Sequence, residues 1–253
     1  KIELINENVN DCERLILAEQ MQGKKILITG VTGLVGLNTA LAFLQCRNKV
    51  DFKIYGIHSS RLPDYFSFIE HEINLIKGDL TDEKILDNIP EVDYVIHAAT
   101  YGQPGAYMVD KIRTIKLNTA VTLKLFEKMK SGGKFLYYSS SSVYIGLEKD
   151  IYNESDIGSS NTNHPRSCYI ESKRCGEAIC NSYRELGIDA KSIRLNLAYG
   201  PGTKAGDKRV INNFIEKAIK YKKIEMQDSG NLPRTYCYIS DVIEMSLNIF
   251  FKG

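Results

Sequence analysis

The strongest constraint on this chain is one apolar run, Lys25–Thr29, that opens directly into glycines spaced three apart: Gly30, Gly33 and Gly36. A strand that enters a tight turn and then a helix is the start of a parallel, doubly wound sheet. Gly30 permits the turn, Gly33 lets the backbone approach a pyrophosphate, and Gly36 lets helix and strand pack closely. The helix N-terminus, from Thr32 through Leu34 and Val35, offers free N–H groups to an anion. The rhythm continues downstream. Strand-like runs at 53–57, 74–77, 94–97, 134–138 and 190–195 alternate with helix-like segments at 34–46, 82–88, 114–130 and 169–185. The runs are continuously apolar, as strands buried on both faces are.

The expected fold class is therefore α/β, a Rossmann-type doubly wound parallel sheet over residues 24–200, with a smaller C-terminal substrate-binding lobe. Residues 1–23 read as a helical extension: Asn10 and Glu13 resemble a capping box, and Leu15, Ile16 and Leu17 precede a stop at Gly23. After Pro201 the pattern changes to glycine-rich loops, a helix at 210–222, a short strand near 223–226 and a helix from about Ser240. This part, 201–253, is expected to cap a substrate. It stops at Phe250-Phe251-Lys252-Gly253 within apolar helical material, which predicts that the lobe continues beyond the sequence given.

Composition narrows the function classes. The 33 basic and 31 acidic residues nearly cancel, which argues against a nucleic-acid partner. The cysteines at 12, 46, 168, 175, 180 and 237 show no CxxC spacing, and the histidines at 58, 71, 97 and 164 no ligand spacing. No metal site is expected, and the chain reads as a protein of the reducing cytosol. The long uncharged stretch 26–46 is a buried strand–turn–helix rather than a membrane span, and the polar N-terminus does not read as a signal peptide.

The end of the second strand bears on the cofactor. An acid there binds the ribose 2′-hydroxyl of NAD, and an Arg suits the 2′-phosphate of NADP. The chain reads His58-Ser59-Ser60-Arg61, with no acid and with Arg61 close by. This leans towards NADP and leaves the choice open, since Arg61 is equally a solvent-facing side chain.

Tyr169 and Lys173 stand at i and i+4, on one face of a helix. A free phenol is a poor base at neutral pH, and a nearby ammonium and a positive nicotinamide ring both favour its phenolate. By itself the spacing is common on any amphipathic helix. It gains weight beside the glycine turn and the run Ser139, Ser140, Ser141, Ser142 at another strand end, where ligands bind in open α/β sheets.

With these elements together, the chain resembles an extended short-chain dehydrogenase/reductase of the NAD-dependent epimerase/dehydratase family, from Lys24 onwards. The motifs are the glycine turn, Gly78-Asp79-Leu80, His97-Ala98-Ala99 with Thr100 beside it, Asn118, Ser-Ser-x-x-Val-Tyr, YxxxK, and Arg194 followed by Tyr199-Gly200-Pro201-Gly202. The resemblance implies NAD or NADP as cofactor, held by these segments with Ser59, Arg61 and Ser139. Asp79 would contact the adenine. It implies Ser140 on the sugar oxygen being oxidised, Tyr169 as base and Lys173 on the nicotinamide ribose. His97 is expected near the cofactor rather than as a base. The segments around Arg209 and Arg234 resemble those of UDP-glucuronate decarboxylases and sugar epimerases, so the implied substrate is a nucleotide-diphosphate sugar, its diphosphate clasped by the two arginines. Ser140, Ser141, Ser142 and Asn196 complete the substrate side. A homodimer pairing through the Tyr169 helix is also implied.

The family's dehydratases carry an Asp–Glu pair after the Ser/Thr, and its decarboxylases keep a Glu. Here Ser141 and Ser142 stand instead, which points to a 4-epimerase or a 4-keto reductase. Three other readings remain open: a sugar dehydratase or decarboxylase, an NADP-sensing regulator without catalysis, and a reductase of small aromatic or steroid-like ketones. Two departures touch the site. Leu197 stands where the family has Asn, with Asn196 one place earlier, and Ile145 is an apparent insertion.

Overall fold

The computed structural model describes residues 18–226, 229–231 and 234–253. The expected capping box at Asn10 and Glu13 lies outside them. What is described of the extension is a short helix, α1 (Ala18–Met21), whose Met21 is fully buried.

Six strands form one parallel sheet: β1 (Lys25–Thr29), β2 (Lys53–His58), β3 (Asn74–Lys77), β4 (Val92–His97), β5 (Met129–Ser140) and β6 (Asp189–Leu195), in the order β3-β2-β1-β4-β5-β6. Strand order reverses between β1 and β4, so a crevice opens where their carboxyl ends diverge. Both faces are covered. Ile26 and Ile28 of β1 join one apolar cluster with Phe43, Ile96 and Tyr138, while Leu27 joins the other with Val95, Phe135 and Tyr137. That alternation of faces along continuously apolar strands is what burial on both sides requires.

The helices that place the site are α2 (Leu34–Leu44), α3 (Glu83–Asp87), α4 (Pro104–Tyr107), α5 (Lys111–Asn118), α6 (Ala120–Glu127) and α7 (Ser167–Glu185). The single helix expected at 114–130 is two, because the backbone at Thr119 leaves helical geometry (φ −122°, ψ −81°) between α5 and α6. Helix α7 ends in a glycine cap: Gly187 adopts φ +85°, and the Ile188 N–H donates to the Tyr183 carbonyl.

The C-terminal part divides. Strands β7 (Leu197–Tyr199) and β8 (Tyr236–Tyr238) pair in a small parallel ribbon, and α8 (Val210–Tyr221) buries none of its residues. The strand expected near 223–226 does not form. Lys222 is left-handed (φ 54°) and ends α8, and residues 223–226 that follow it join no strand. The last helix, α9 (Ile239–Lys252), packs back onto the main sheet. Phe250 lies edge-on to Tyr94 at 5.4 Å, and Phe251 edge-on to Phe43 at 6.3 Å. Phe250 and Phe251 thus pack on β4 and α2, each buried Phe contributing roughly 1.5–3 kcal/mol.

Candidate active site

The crevice at the strand-order reversal is a cleft of about 250 Å³. Its walls hold Gly30, Thr32 and Gly33 from the first turn, Ser59 after β2, Asp79 and Leu80 after β3, and Ala98, Ala99 and Thr100 after β4. The turn is built by its glycines. Gly30 has φ +66°, and a Cβ there would sit 2.9 Å from the Ala99 Cα; a Cβ on Gly36 would lie 2.4 Å from the Gly30 carbonyl oxygen. No side chain caps the N-terminus of α2, which begins just after Gly33 of the cleft wall, so its first N–H groups lack a side-chain acceptor.

Two buried polar atoms in the walls have no partner among the described residues, the Thr100 hydroxyl and the Arg113 Nε. A polar ligand along the cleft would satisfy such atoms, and the uncapped N–H groups of α2 suit a phosphate. The donor set therefore fits a dinucleotide.

Several expected residues stand elsewhere. Arg61 is 91% exposed beside Asp64 and does not line the cleft. The turn after β2 carries its side chain outwards, and the basic residues that do line the cleft are Arg113 and Lys204. Leu34 and Val35 turn inward and pack against the core cluster. Asn118 is buried below the cleft, donating to the Thr114 carbonyl and to Ser172 Oγ, both at 3.0 Å. Asp79 lines the cleft but holds Arg113 at 2.9 Å and accepts from the Thr81 N–H at 3.0 Å.

His97 is fixed as a neutral ring. Its Nε2–H donates to the Leu117 carbonyl at 3.0 Å, and its Nδ1 accepts from Thr29 Oγ1 at 2.8 Å. Thr29 in turn accepts from the Ala99 N–H. Burial and the Lys173 charge lower its pKa to about 3. The ring braces the crevice rather than moving protons.

On α7, Tyr169, Lys173 and Glu177 fall on one buried face at successive i+4 positions. The face packs on β5 closely enough that a Cβ on Gly176 would meet the Tyr137 hydroxyl at 2.3 Å. Ser140 stands near enough to the Tyr169 phenol to lower its pKa, and its hydroxyl accepts from the Ser142 N–H at 3.2 Å. Lys173 Nζ donates to the Tyr138 carbonyl at 2.6 Å and stands 5.8 Å above the Tyr169 ring.

Burial dominates the electrostatics of this pair. Burial pushes the Tyr169 phenol above its ordinary pKa, with Ser140 and Arg209 pulling the other way. Burial also lowers Lys173 to about 7, while Glu177 raises it. An ammonium that costs this much to bury cannot hold the phenol ionised unaided.

Glu177 carries no signal in a YxxxK reading, though its place four residues after Lys173 was there to be seen. It accepts from Ser139 Oγ and from Arg194, whose Nη2 lies 2.8 Å away. Ser139 therefore faces this buried ion pair and not the cleft. Arg194 also donates to the carbonyls of Glu154 and Asp156, tying β6 to that loop.

On the substrate side, Ser141 Oγ donates to Asn196 Oδ1 at 3.1 Å. Arg209 holds the buried Asp207 at 2.6 Å and lies near enough to Tyr169 to affect its charge. Arg234 is exposed. Ile145 is absorbed in a turn, its N–H donating to the Ser142 carbonyl and its own carbonyl packed against Gly158. Among the described residues no acidic, Cys or His cluster could hold a metal ion, and no helix is long and apolar enough to cross a membrane.

A family model described as the NAD dependent epimerase/dehydratase family matches residues 26–252. The chain is 31% identical over 223 residues to UDP-glucuronic acid decarboxylase 1 of Xenopus tropicalis, covering 87% of this chain and 52% of that protein. It is 30% identical to UDP-glucuronic acid decarboxylase 6 of Arabidopsis thaliana, covering 64% of it. The chain thus spans between about half and two thirds of these relatives' length. Among solved structures, UDP-glucose 4-epimerase from Thermotoga maritima superposes with a TM-score of 0.76 at 23% identity, over 90% of this chain and 74% of that one. The dTDP-glucose 4,6-dehydratase of Bacillus anthracis, solved with NAD, gives 0.73 at 19% identity over 91% and 73%. At these identities the likeness is one of fold.

Proposed function

The chain belongs to the NAD dependent epimerase/dehydratase family, and on that premise we propose that it modifies a nucleotide-diphosphate sugar by oxidising a sugar hydroxyl, as a 4-epimerase. The observation that carries this reading is Ser140 placed beside the Tyr169 phenol, whose pKa it lowers, and followed in the chain by two hydroxyls, Ser141 and Ser142, and not by carboxylates.

NAD or NADP is the cofactor of this reading, and its nicotinamide supplies the hydride acceptor. The turn at Gly30 and Gly33 and the N-terminus of α2 would hold the pyrophosphate. Ser140 hydrogen-bonds the sugar oxygen and Tyr169 takes its proton. Lys173 and Arg209 provide the positive charge that the buried phenol needs on ionising. Arg209 suits the substrate diphosphate, with Arg234 as its second clasp. Ser141 and Ser142 have no carboxylate with which to move a proton for elimination, so the oxidised sugar is returned as its epimer.

Incubation with UDP-glucose and UDP-glucuronic acid, followed by proton NMR, tests the reading. The expected product is the C4 epimer, and Tyr169→Phe should lower kcat by about 10²- to 10⁴-fold. A decarboxylated or 4-keto-6-deoxy product overturns it. Apolar Ile112 and Ile115 on α5 and Leu123 on α6 are exposed, and α5 packs beside α7. We take this as the face of a homodimer, which sedimentation of wild type against Ile112→Glu would check.

A further inference from the structure

Lys204 reaches across the cleft from the far end of the chain. Its Nζ donates to Ser60 Oγ at 3.2 Å over a sequence separation of 144. The loop that carries it is fastened at several points. Asn38 of α2 donates to the Pro201 carbonyl at 3.1 Å, Tyr65 Oη to the Gly202 carbonyl at 3.2 Å, and Thr203 Oγ1 to the Gly200 carbonyl at 2.7 Å. On the opposite wall, His58 Nδ1 lies 2.7 Å from the Ser60 carbonyl and fixes the turn after β2. Lys204 and the serines are thus brought together by the fold.

The charges lining the cleft are unbalanced. Among the described residues its only carboxylate is Asp79, already held by Arg113 and by the Thr81 N–H, while Arg113 and Lys204 are both cationic. Lys204 forms no ion pair among the described residues. The turn after β2 is where an acid would take the ribose diol and repel a phosphate, and here it offers Ser59 and Ser60. Two hydroxyls and an ammonium form a donor set for a phosphate monoester.

We infer that Ser59, Ser60 and Lys204 are a subsite for the ribose 2′-phosphate of a dinucleotide, so that this chain takes NADP in preference to NAD. The inference rests on reading the cleft as a dinucleotide site. It replaces Arg61 by Lys204 as the basic group that decides the cofactor. Partial burial lowers the Lys204 pKa, and a dianion against the ammonium offsets that cost.

Isothermal titration of the full chain with NADPH, NADH, adenosine 2′,5′-bisphosphate and AMP tests it, in wild type and in Lys204→Met. NADPH should bind at least ~10-fold more tightly than NADH to wild type, and the bisphosphate more tightly than AMP. Lys204→Met should weaken NADPH and the bisphosphate by roughly 10- to 100-fold and NADH by less than about threefold, with the melting temperature retained because Lys204 is at the surface. Equal binding of NADH and NADPH to wild type, or an equal loss of both in the variant, overturns the inference and leaves the dinucleotide cleft standing. If neither dinucleotide binds, the inference and the cleft reading fall together.

Discussion

Tyr107 lies flat on Tyr169, with ring centroids 4.5 Å apart and planes 12° from parallel. Both rings are nearly fully buried, and Cys168 Sγ also donates to the Tyr107 carbonyl. The short helix α4 therefore seals the first turn of α7 with an aromatic face. The stack keeps water from the phenol whose burial raises its pKa.

Removing that seal should show in two ways. Tyr107→Ala is expected to cost about 3–5 kcal/mol, as other large aromatic truncations do, and to move the alkaline rise of activity to lower pH as Tyr169 gains water. Tyr107→Phe keeps the ring and should change neither. Urea denaturation and the pH–rate profile of the two variants decide the matter.

Two neighbouring glycines should respond differently. Gly36→Ala drives a Cβ to 2.4 Å from the Gly30 carbonyl and should destabilise by about 1–3 kcal/mol as an overpacked contact. Gly33 has φ −81°, and its Cβ would meet only the Gly30 oxygen, at 3.1 Å. Gly33→Ala should fold with a nearly unchanged melting temperature and yet lose at least ~10-fold in dinucleotide affinity, because the methyl stands where the pyrophosphate approaches. Calorimetry and titration on the same samples separate the two effects.

The Arg194–Glu177 pair, with side chains only 16% and 11% exposed, should be costly to break from one side. Arg194→Met leaves Glu177 buried without its guanidinium and should lose about 3–5 kcal/mol. Adding Glu177→Gln should recover a large part, since the buried charge is then gone. A double-mutant cycle by urea denaturation measures the coupling. Additive losses would mean the pair is not an energetic unit.

His97 gives a pH dependence of defined sign. Its pKa is about 3 in the fold and near 6.5 in the unfolded chain, so below about pH 6.5 the unfolded chain binds a proton that the fold excludes. Its contribution is fully present above that pH. It falls by roughly 1.4 kcal/mol per unit as the pH drops towards 3. His97→Asn should flatten this acid limb, whatever it does to stability at pH 8. Melting temperatures from pH 4 to 8 test it; an unchanged slope would assign the limb to other groups.

The amino-acid sequence by itself determined the α/β alternation, the glycine turn and the Ser140–Tyr169–Lys173 spacing. Those features are local: apolar runs, a turn that only glycine allows, and an i, i+4 pair on one helix. Periodicity does not record a single backbone departure, so the break at Thr119 and the missing strand at 223–226 were beyond its reach. Nor could it say which way a long basic side chain points. Arg61 is next to β2 in sequence and faces solvent, whereas Lys204 is remote and stands on Ser60 because three hydrogen-bonded loop residues hold it there. The direction of the Tyr169 and Lys173 pKa shifts was likewise settled only by the fold. Burial is a property of everything packed around a group, and here desolvation is the largest cause of both shifts.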